Sequence, residues 1–284
     1  MDLIQLLVLA VVQGLTEFLP ISSTAHLRIV PALLGWEDPG AAFTAVLQIG
    51  TLAAVLSYFW HDVVRIGTAM ISDLRQRKLA SSPEARLGWM IAVATVPIIV
   101  CGLLFKTQIK TTWRSLEVMC AALVVVAILL AGAEILVRRR RALGREGREI
   151  SHITWPDAIA IGFAQAAALV PGTSRSASTI FGGLCCGLTR EAAARFSFLL
   201  SIPSIFAAGI YQLIEARDEL GLASPIESAK LGLALVVTAA VGYATIPWLL
   251  AFLRKRSTFA FIVYRLLLAA MIIALLASGQ LTAM

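Results

Sequence analysis

The sequence predicts an all-α polytopic membrane protein with about six transmembrane helices and two re-entrant helical hairpins. Hydrophobic residues make up 59% of the 284-residue chain and charged residues only 14%, and the mean hydropathy is +0.85. These values lie far from those of soluble domains. A transmembrane helix needs about 20 mainly apolar residues, and six stretches supply that length: 41–60, 88–105, 115–137, 192–214, 229–250 and 258–277.

The net charge of +7 comes largely from Lys and Arg clusters in short connections between apolar stretches. Such clusters favour the cytoplasmic side of a membrane, whereas a nucleic-acid-binding domain gathers its basic residues on one folded face. We therefore expect no nucleic-acid partner. Three basic loops are predicted to be cytoplasmic: 61–87, 138–148 and 254–256.

Two further apolar stretches, 3–34 and 155–188, are interrupted by Pro, Gly, Ser and charged residues, which makes continuous spanning helices poor candidates there. The three basic loops share one side only if 155–188 enters the membrane and returns. Glu37, Asp38 and the acidic loop after 192–214 then lie outside; the acids of that loop are Glu215, Asp218, Glu219 and Glu227. For 3–34, the charges allow either a single span or a hairpin. One external loop, with Lys106, Lys110 and Arg114, breaks the charge rule.

A loose internal repeat favours the hairpin for 3–34. Residues 14–24 and 162–176 both run from apolar residues through Pro to a hydroxyl cluster. If each half is a hairpin followed by three spans, the halves have inverted topology and their broken helices meet inside the membrane. We therefore expect a single membrane domain over 1–284, with repeat halves of about 1–137 and 150–284.

The first hairpin carries ionisable residues in apolar surroundings. Glu17 follows Gln13 by four residues, so both side chains lie on one helical face. A carboxylate inside an apolar segment is costly and indicates a functional site, although an interfacial, solvated Glu17 is the alternative. Ser23 and His26 are three residues apart, which brings a hydroxyl and an imidazole to one face, as nucleophilic chemistry requires.

The second hairpin contains the segment PGTSRS, residues 171–176. Gly172 permits close backbone approach, Ser174 and Ser176 donate hydrogen bonds, and Arg175 binds phosphate oxygens in a bidentate way. A helix that begins here would add its N-terminal N–H groups to an anion site. The alternative is an ordinary loop with Arg175 at the lipid headgroups.

Together, QGLTEFLPISSTAH (residues 13–26) and PGTSRS (171–176) resemble the undecaprenyl-diphosphate phosphatase family of the bacitracin-resistance type. The resemblance covers the whole chain. It implies hydrolysis of undecaprenyl diphosphate to undecaprenyl phosphate and inorganic phosphate. This reaction recycles the lipid carrier for cell-wall synthesis and confers bacitracin resistance. It also implies residence in the bacterial inner membrane, with the active site opening to the outer side.

The resemblance assigns roles by position. Ser23 is the implied nucleophile or water-positioning group, His26 the proton carrier and Glu17 an essential acid. The substrate phosphates are implied to bind Arg175, Ser174, Ser176, Gly172 and Thr24. A divalent cation, Mg²⁺ or Ca²⁺, is implied at Glu17 and Gln13, where oxygen ligands suit it. Gln13 stands where many members have Glu, and a neutral amide is the weaker ligand.

A second function stays open, because an inverted repeat with broken helices is also a transporter architecture. The chain could then move the lipid phosphate across the membrane instead of hydrolysing the diphosphate. The spacing of Ser23 and His26 favours chemistry, since a transporter needs no nucleophile. A homodimer is also left open, and the sequence does not fix the oligomeric state.

Overall fold

The computed structural model describes residues 1–38, 40–215 and 224–281, and within these ranges the chain is helical without named strands. Asp218 and Glu219 of the predicted acidic loop lie outside the described residues. Twelve α-helices are described in these ranges: α1 (Leu3–Thr16), α2 (Ser23–Leu34), α3 (Gly40–Tyr58), α4 (Trp60–Gln76), α5 (Pro83–Leu104), α6 (Lys106–Lys110), α7 (Leu116–Ala142), α8 (Trp155–Ala166), α9 (Arg175–Cys185), α10 (Arg190–Glu215), α11 (Pro225–Lys255) and α12 (Phe259–Ala277).

Five of the described helices, α5, α7, α10, α11 and α12, are long and apolar enough to cross a membrane. A sixth span is present if α3 and α4 are counted as one broken unit, since they are bent by 82° at Phe59. The predicted class, an all-α polytopic membrane protein, is confirmed. The inverted orientation of the two halves stays a prediction.

The two interrupted stretches each form two short helices, which explains why they looked unlike ordinary spans. Helices α1 and α2 have 14 and 12 residues, and α8 and α9 have 12 and 11. Each is shorter than the roughly 20 residues that cross a bilayer. The members of each pair pack against one another, so each stretch is a helical hairpin.

The prediction of a loop over 61–87 is wrong, because residues 61–76 belong to α4 and residues 83–87 belong to α5. Helix α4 places charged residues beside apolar ones such as Ile71 and Leu74, both exposed, and the charges obscured its helical pattern. Buried Asp73 accepts hydrogen bonds from the backbone and side chain of Ser81 and from Trp89 Nε1 at 3.3 Å. These bonds attach α4 to the start of α5. The predicted loop 138–148 likewise begins inside α7, which ends at Ala142.

The halves are interleaved, because the first helix of each hairpin packs on a long helix of the other half. Helix α1 lies against α11, and α8 lies against α5. Glycines make both contacts close. A Cβ at Gly14 would lie 2.8 Å from the Thr238 carbonyl oxygen, and one at Gly162 would lie 2.5 Å from that of Ala94. This arrangement brings the turns of the two hairpins together.

Candidate active site

Each hairpin turns on a serine with left-handed backbone. Ser22 has φ 75° and Ser174 has φ 71°, a region that residues other than glycine seldom occupy. Each serine caps the helix that follows, accepting from the N–H of Ala25 or Ala177. Such strain persists where the surroundings hold it, and it is common at functional sites. The turns bring the N-termini of α2 and α9 to the place where the two hairpins meet.

The two turns are in direct contact although they are far apart in sequence. Ser176 Oγ donates to the Leu19 carbonyl at 2.9 Å, and the Gly172 N–H donates to Thr24 Oγ1 at 3.3 Å. Gly172 has φ 92°, and a Cβ there would lie 2.5 Å from the Met119 carbonyl oxygen. The turn therefore requires glycine at position 172, and the Gly172 N–H group is already hydrogen-bonded to Thr24.

Glu17 is the centre of the site. Its Oε1 accepts from Arg175 Nη2 at 2.6 Å, and its Oε2 accepts from Ser23 Oγ at 2.6 Å and from Gln13 Nε2 at 2.7 Å. The carboxylate side chain is only 4% exposed. A carboxylate at this depth needs charge-assisted partners, and it has three.

Glu17, Ser23, Thr24, Ser174 and Arg175 all line one cavity of about 530 Å³. Much of the remaining wall is apolar and comes from α5 and α10. Ser23 and Arg175 therefore share a cavity, as the sequence predicted. Its composition, a few polar groups on an apolar wall, suits a ligand with a charged head and a hydrocarbon tail.

His26 lies beside this centre, and its contacts differ from those the sequence suggested. Its Nδ1 lies 2.7 Å from the Ser22 carbonyl oxygen and its Nε2 lies 2.6 Å from the Tyr264 hydroxyl, and the two rings are stacked. Both ring nitrogens are thus engaged. The structure brings Glu17, not His26, to the Ser23 hydroxyl. The three-residue spacing gave the right face of α2, but the ring turns away to Tyr264.

The predicted cation site at Glu17 and Gln13 does not fit a metal held by the protein alone. Both Glu17 oxygens already accept short hydrogen bonds, and Gln13 presents its N–H group to Glu17. Gln13 Oε1 is buried and unpartnered within the described ranges, but Gln13 is absent from the cavity wall. Among the described residues, no group of three or more His, Cys, Asp or Glu side chains could hold a metal ion. The cation stays a prediction, and we assign no step to it.

Sequence reasoning missed Arg265, a fully buried side chain in the middle of α12. Its guanidinium donates to the carbonyls of Leu123 (3.2 Å) and Ala122 (3.2 Å) in α7, and of Pro20 (3.4 Å) and Gly172 (3.0 Å) in the two turns. One side chain thus joins both hairpins to the bundle. A lone arginine in the apolar stretch 258–277 was the signal that marked it.

The structure also corrects the register of the repeat. The segments 14–24 and 162–176 begin 148 residues apart in the sequence. By contrast, the capping residues Asp2 and Thr154 are 152 residues apart, and so are the strained serines Ser22 and Ser174. In that register Gln165 matches Gln13. Each of these glutamines is buried, and each has one amide atom without a partner among the described residues. Gln165 Oε1 accepts from Ser204, whose hydroxyl also lies 3.5 Å from Arg175 Nη1.

In the same register, Ser23 and Arg175 are equivalent, since each follows the strained serine and begins a helix. Thr24 matches Ser176, and these two side chains make the bonds between the turns. The position of Glu17 is matched by Leu169. The two hairpins therefore have similar turns but present different side chains to one cavity.

Comparison with known proteins places this chain in a family. The family model described as "Bacitracin resistance protein BacA" matches residues 6–271. A protein of Chloroherpeton thalassium, named undecaprenyl-diphosphatase, is 55% identical over 283 residues, which cover 100% of both chains. Proteins of the same name from Prosthecochloris aestuarii and Chlorobium phaeobacteroides are 54% and 53% identical, with the same coverage.

Proposed function

Because the chain belongs to the bacitracin resistance protein BacA family, we propose that the cavity around Glu17, Ser23 and Arg175 is its catalytic site. The chain is a multi-pass membrane protein that dephosphorylates undecaprenyl diphosphate, giving undecaprenyl phosphate and inorganic phosphate. This hydrolysis returns lipid carrier to cell-wall synthesis and underlies bacitracin resistance. The observation that supports the site most directly is the single carboxylate of Glu17, which holds both Ser23 and Arg175.

Glu17 and Ser23 form a base and nucleophile pair. The Ser23 hydroxyl donates to Glu17 Oε2 at 2.6 Å, a distance suited to proton transfer. As Ser23 Oγ bonds to the terminal phosphorus, Glu17 takes its proton. The bond from that phosphorus to the bridging oxygen breaks, and undecaprenyl phosphate leaves with the electron pair. Water then attacks the phosphorus of the phosphoserine. The bond to Ser23 Oγ breaks, Ser23 takes its proton back from Glu17, and inorganic phosphate is released.

Arg175 binds the phosphate that is transferred. Its guanidinium is paired with Glu17, so a phosphate that enters the cavity competes with Glu17 for it. Once Arg175 turns to the phosphate, Glu17 loses the cation at its Oε1 and becomes a stronger base toward the Ser23 proton at Oε2. The N-termini of α2 and α9 face the same space and stabilise the charge that builds up on phosphate oxygens in the transition state. Ser174, Ser176 and Thr24 hold these two turns in place.

In this scheme His26 is a positioning residue for the turn at Ser22. Its ring connects the carbonyl of strained Ser22 to Tyr264 of α12, so it fixes the turn from which α2 begins. The role that the resemblance implied, proton transfer for Ser23, stays a prediction. Replacing His26 by Asn, which keeps one donor toward Ser22, separates the two roles, because a positioning role tolerates Asn better than a proton-transfer role does.

Phosphate release by purified protein in detergent tests the function. We expect Ser23→Ala and Glu17→Gln to lower turnover by about 10²–10⁴-fold, the usual scale for loss of a nucleophile or base. Ser57→Ala is the matched control, because the Ser57 hydroxyl is exposed and bonds to the Ala53 carbonyl of its own helix. A transporter of lipid phosphate would release no phosphate in detergent, where the protein separates no compartments.

Acid quenching with substrate labelled in the terminal phosphate tests the covalent step. We expect label on the wild-type chain and on Ser57→Ala, and none on Ser23→Ala. If the wild type turns over without any label at short times while Ser23→Ala is inactive, Ser23 positions the attacking water instead.

We also propose that the protein lies in the bacterial inner membrane and that its cavity opens outward. Asp38 and Arg114 line the cavity, and both belong to segments that the charge pattern predicts to be external. The homodimer stays a prediction, which a mass measurement of the detergent-solubilised protein would test.

A further inference from the structure

A second charged cluster lines the same cavity. It consists of Arg28 on α2, Asp38 in the segment before α3, and Arg114 in the short turn before α7. Asp38 forms ion pairs with both arginines, with Arg114 Nη2 at 3.0 Å from Oδ2 and 3.3 Å from Oδ1. The catalytic mechanism described above uses none of these three residues.

The charge balance of this cluster differs from that of the catalytic centre. Glu17 and Arg175 pair one to one, but two guanidinium groups share the single carboxylate of Asp38. The cluster therefore carries a net positive charge. The Arg28 and Arg114 side chains are 17% and 23% exposed, so water solvates that charge only in part. Partly buried guanidinium groups that converge on one anion favour a second anion of suitable geometry.

The position of Arg28 relates the cluster to the reaction. Arg28 follows Thr24 by four residues, so the two side chains occupy one face of α2, about one helical turn or 5.4 Å apart. Ser23, Thr24, Leu27 and Arg28 all line the cavity. A substrate whose terminal phosphate lies at Ser23 has its other phosphate one bridging oxygen away, within reach of the long Arg28 side chain.

An anion-binding cavity also accounts for two of the three basic residues that break the charge pattern. Arg114 and Lys106 lie in a segment predicted to be external, where basic residues are disfavoured by the topology rule. Both line the cavity. Their placement is explained by an anionic ligand and not by membrane orientation.

We propose that Arg28, together with Arg114, binds the lipid-linked phosphate of the diphosphate substrate, and that Asp38 holds the two guanidinium groups in position until that phosphate arrives. The proposal rests on the proposed function. It divides the cavity into two anion subsites: the terminal phosphate lies at Arg175, and the phosphate that remains on the lipid lies at Arg28. The same subsite holds the product, a prenyl monophosphate, before release.

The two products of the reaction allow the two anion subsites to be tested separately. Binding of a short-chain prenyl monophosphate, farnesyl phosphate, to purified protein in detergent reports on Arg28, and inhibition by inorganic phosphate reports on Arg175. We expect Arg28→Gln to weaken farnesyl phosphate binding about tenfold or more while the inhibition constant of inorganic phosphate stays unchanged. Asp38→Asn should strengthen farnesyl phosphate binding, because it removes the competing carboxylate.

The two variants are expected to change farnesyl phosphate binding in opposite directions. Damage to the fold would instead weaken binding in both variants, so the two explanations can be distinguished. Arg65→Gln is the matched control, since it breaks an exposed pair with Glu84 away from the cavity, and it should change neither constant. Unchanged farnesyl phosphate binding in Arg28→Gln would overturn the proposal, as would an equal loss for both products. Failure of the wild type to release phosphate from a prenyl diphosphate would instead contradict the proposed function itself.

Discussion

Replacing Arg265 tests how the active site is held together. Its guanidinium donates four hydrogen bonds and has no carboxylate partner among the described residues; two of the bonds go to Pro20 and Gly172, in the turns of the two hairpins. In Arg265→Met those two turn carbonyls lose a donor inside the bundle. Arg265→Lys keeps the charge, but a compact ammonium cannot reproduce a planar fork that reaches several carbonyls.

The expected cost follows from the two turn carbonyls. A buried polar group left without its partner costs about 1–3 kcal/mol, whereas hydrogen bonds within membrane proteins contribute on average about 0.6 kcal/mol each. For Pro20 and Gly172 together, Arg265→Met should lower the free energy of unfolding by about 1–6 kcal/mol. The carbonyls of α7 add less, because they belong to a helix in which other donors are available.

Thermal unfolding in detergent and phosphate release under the same conditions measure both consequences. We expect Arg265→Met to unfold at a lower temperature and to turn over more slowly even where it remains folded, with Arg265→Lys between it and the wild type. Arg256→Met is the control, since Arg256 is exposed beyond the end of α11. An Arg265→Met protein with unchanged unfolding temperature and unchanged turnover would refute the positioning role.

Three further predictions concern two site residues and the sidedness of the loops. Arg175→Lys should stay folded and lose most activity, because a point charge cannot bind phosphate as a fork does; equal turnover would contradict the assignment. Gln13→Glu places a second carboxylate against Glu17, where Gln13 now donates at 2.7 Å, so turnover should come to depend on added divalent cation; full activity with a chelator would contradict this. In a background without the four native cysteines, an impermeant thiol reagent applied to intact cells should label Glu37→Cys and Asp218→Cys; it should not label Gln76→Cys, Glu146→Cys or Lys255→Cys, and labelling at 255 would contradict the predicted sidedness.

Most of the fold could be predicted because lipid imposes a simple length rule. Five of the predicted spans coincide with α5, α7, α10, α11 and α12 to within one residue of the helix ends or lie inside them. Prolines and hydroxyl residues also located both hairpins correctly. Mean hydropathy could not distinguish helix α4 from a basic loop, because the charged residues of α4 lower that mean. Its apolar residues lie on one side of the helix, which a mean value does not register.

The residues of the site were predictable, but the contacts among them were less so. Glu17, Ser23 and Arg175 were identified because charge and hydroxyl groups are unusual in apolar segments. The choice of Glu17 over His26 as the partner of Ser23 depends on the left-handed turn at Ser22, which sets the direction of α2. No spacing rule encodes that turn. The lone Arg265 in the apolar stretch 258–277 was a visible signal, but its partners could not be predicted because they are backbone carbonyls, which no residue pattern identifies.

The equivalence of Ser23 and Arg175 bears on how such a site could arise. Two separate copies of one half-protein would present the same residue twice, giving two serines or two arginines around the cavity. Neither pair supplies both a nucleophile and a fixed cation. Once the halves are encoded in one gene, each copy can change without the other, and the same structural position can become Ser23 in one and Arg175 in the other. The asymmetry that the proposed catalysis needs therefore requires the two hairpins to differ in sequence at equivalent positions, as they do at Ser23 and Arg175.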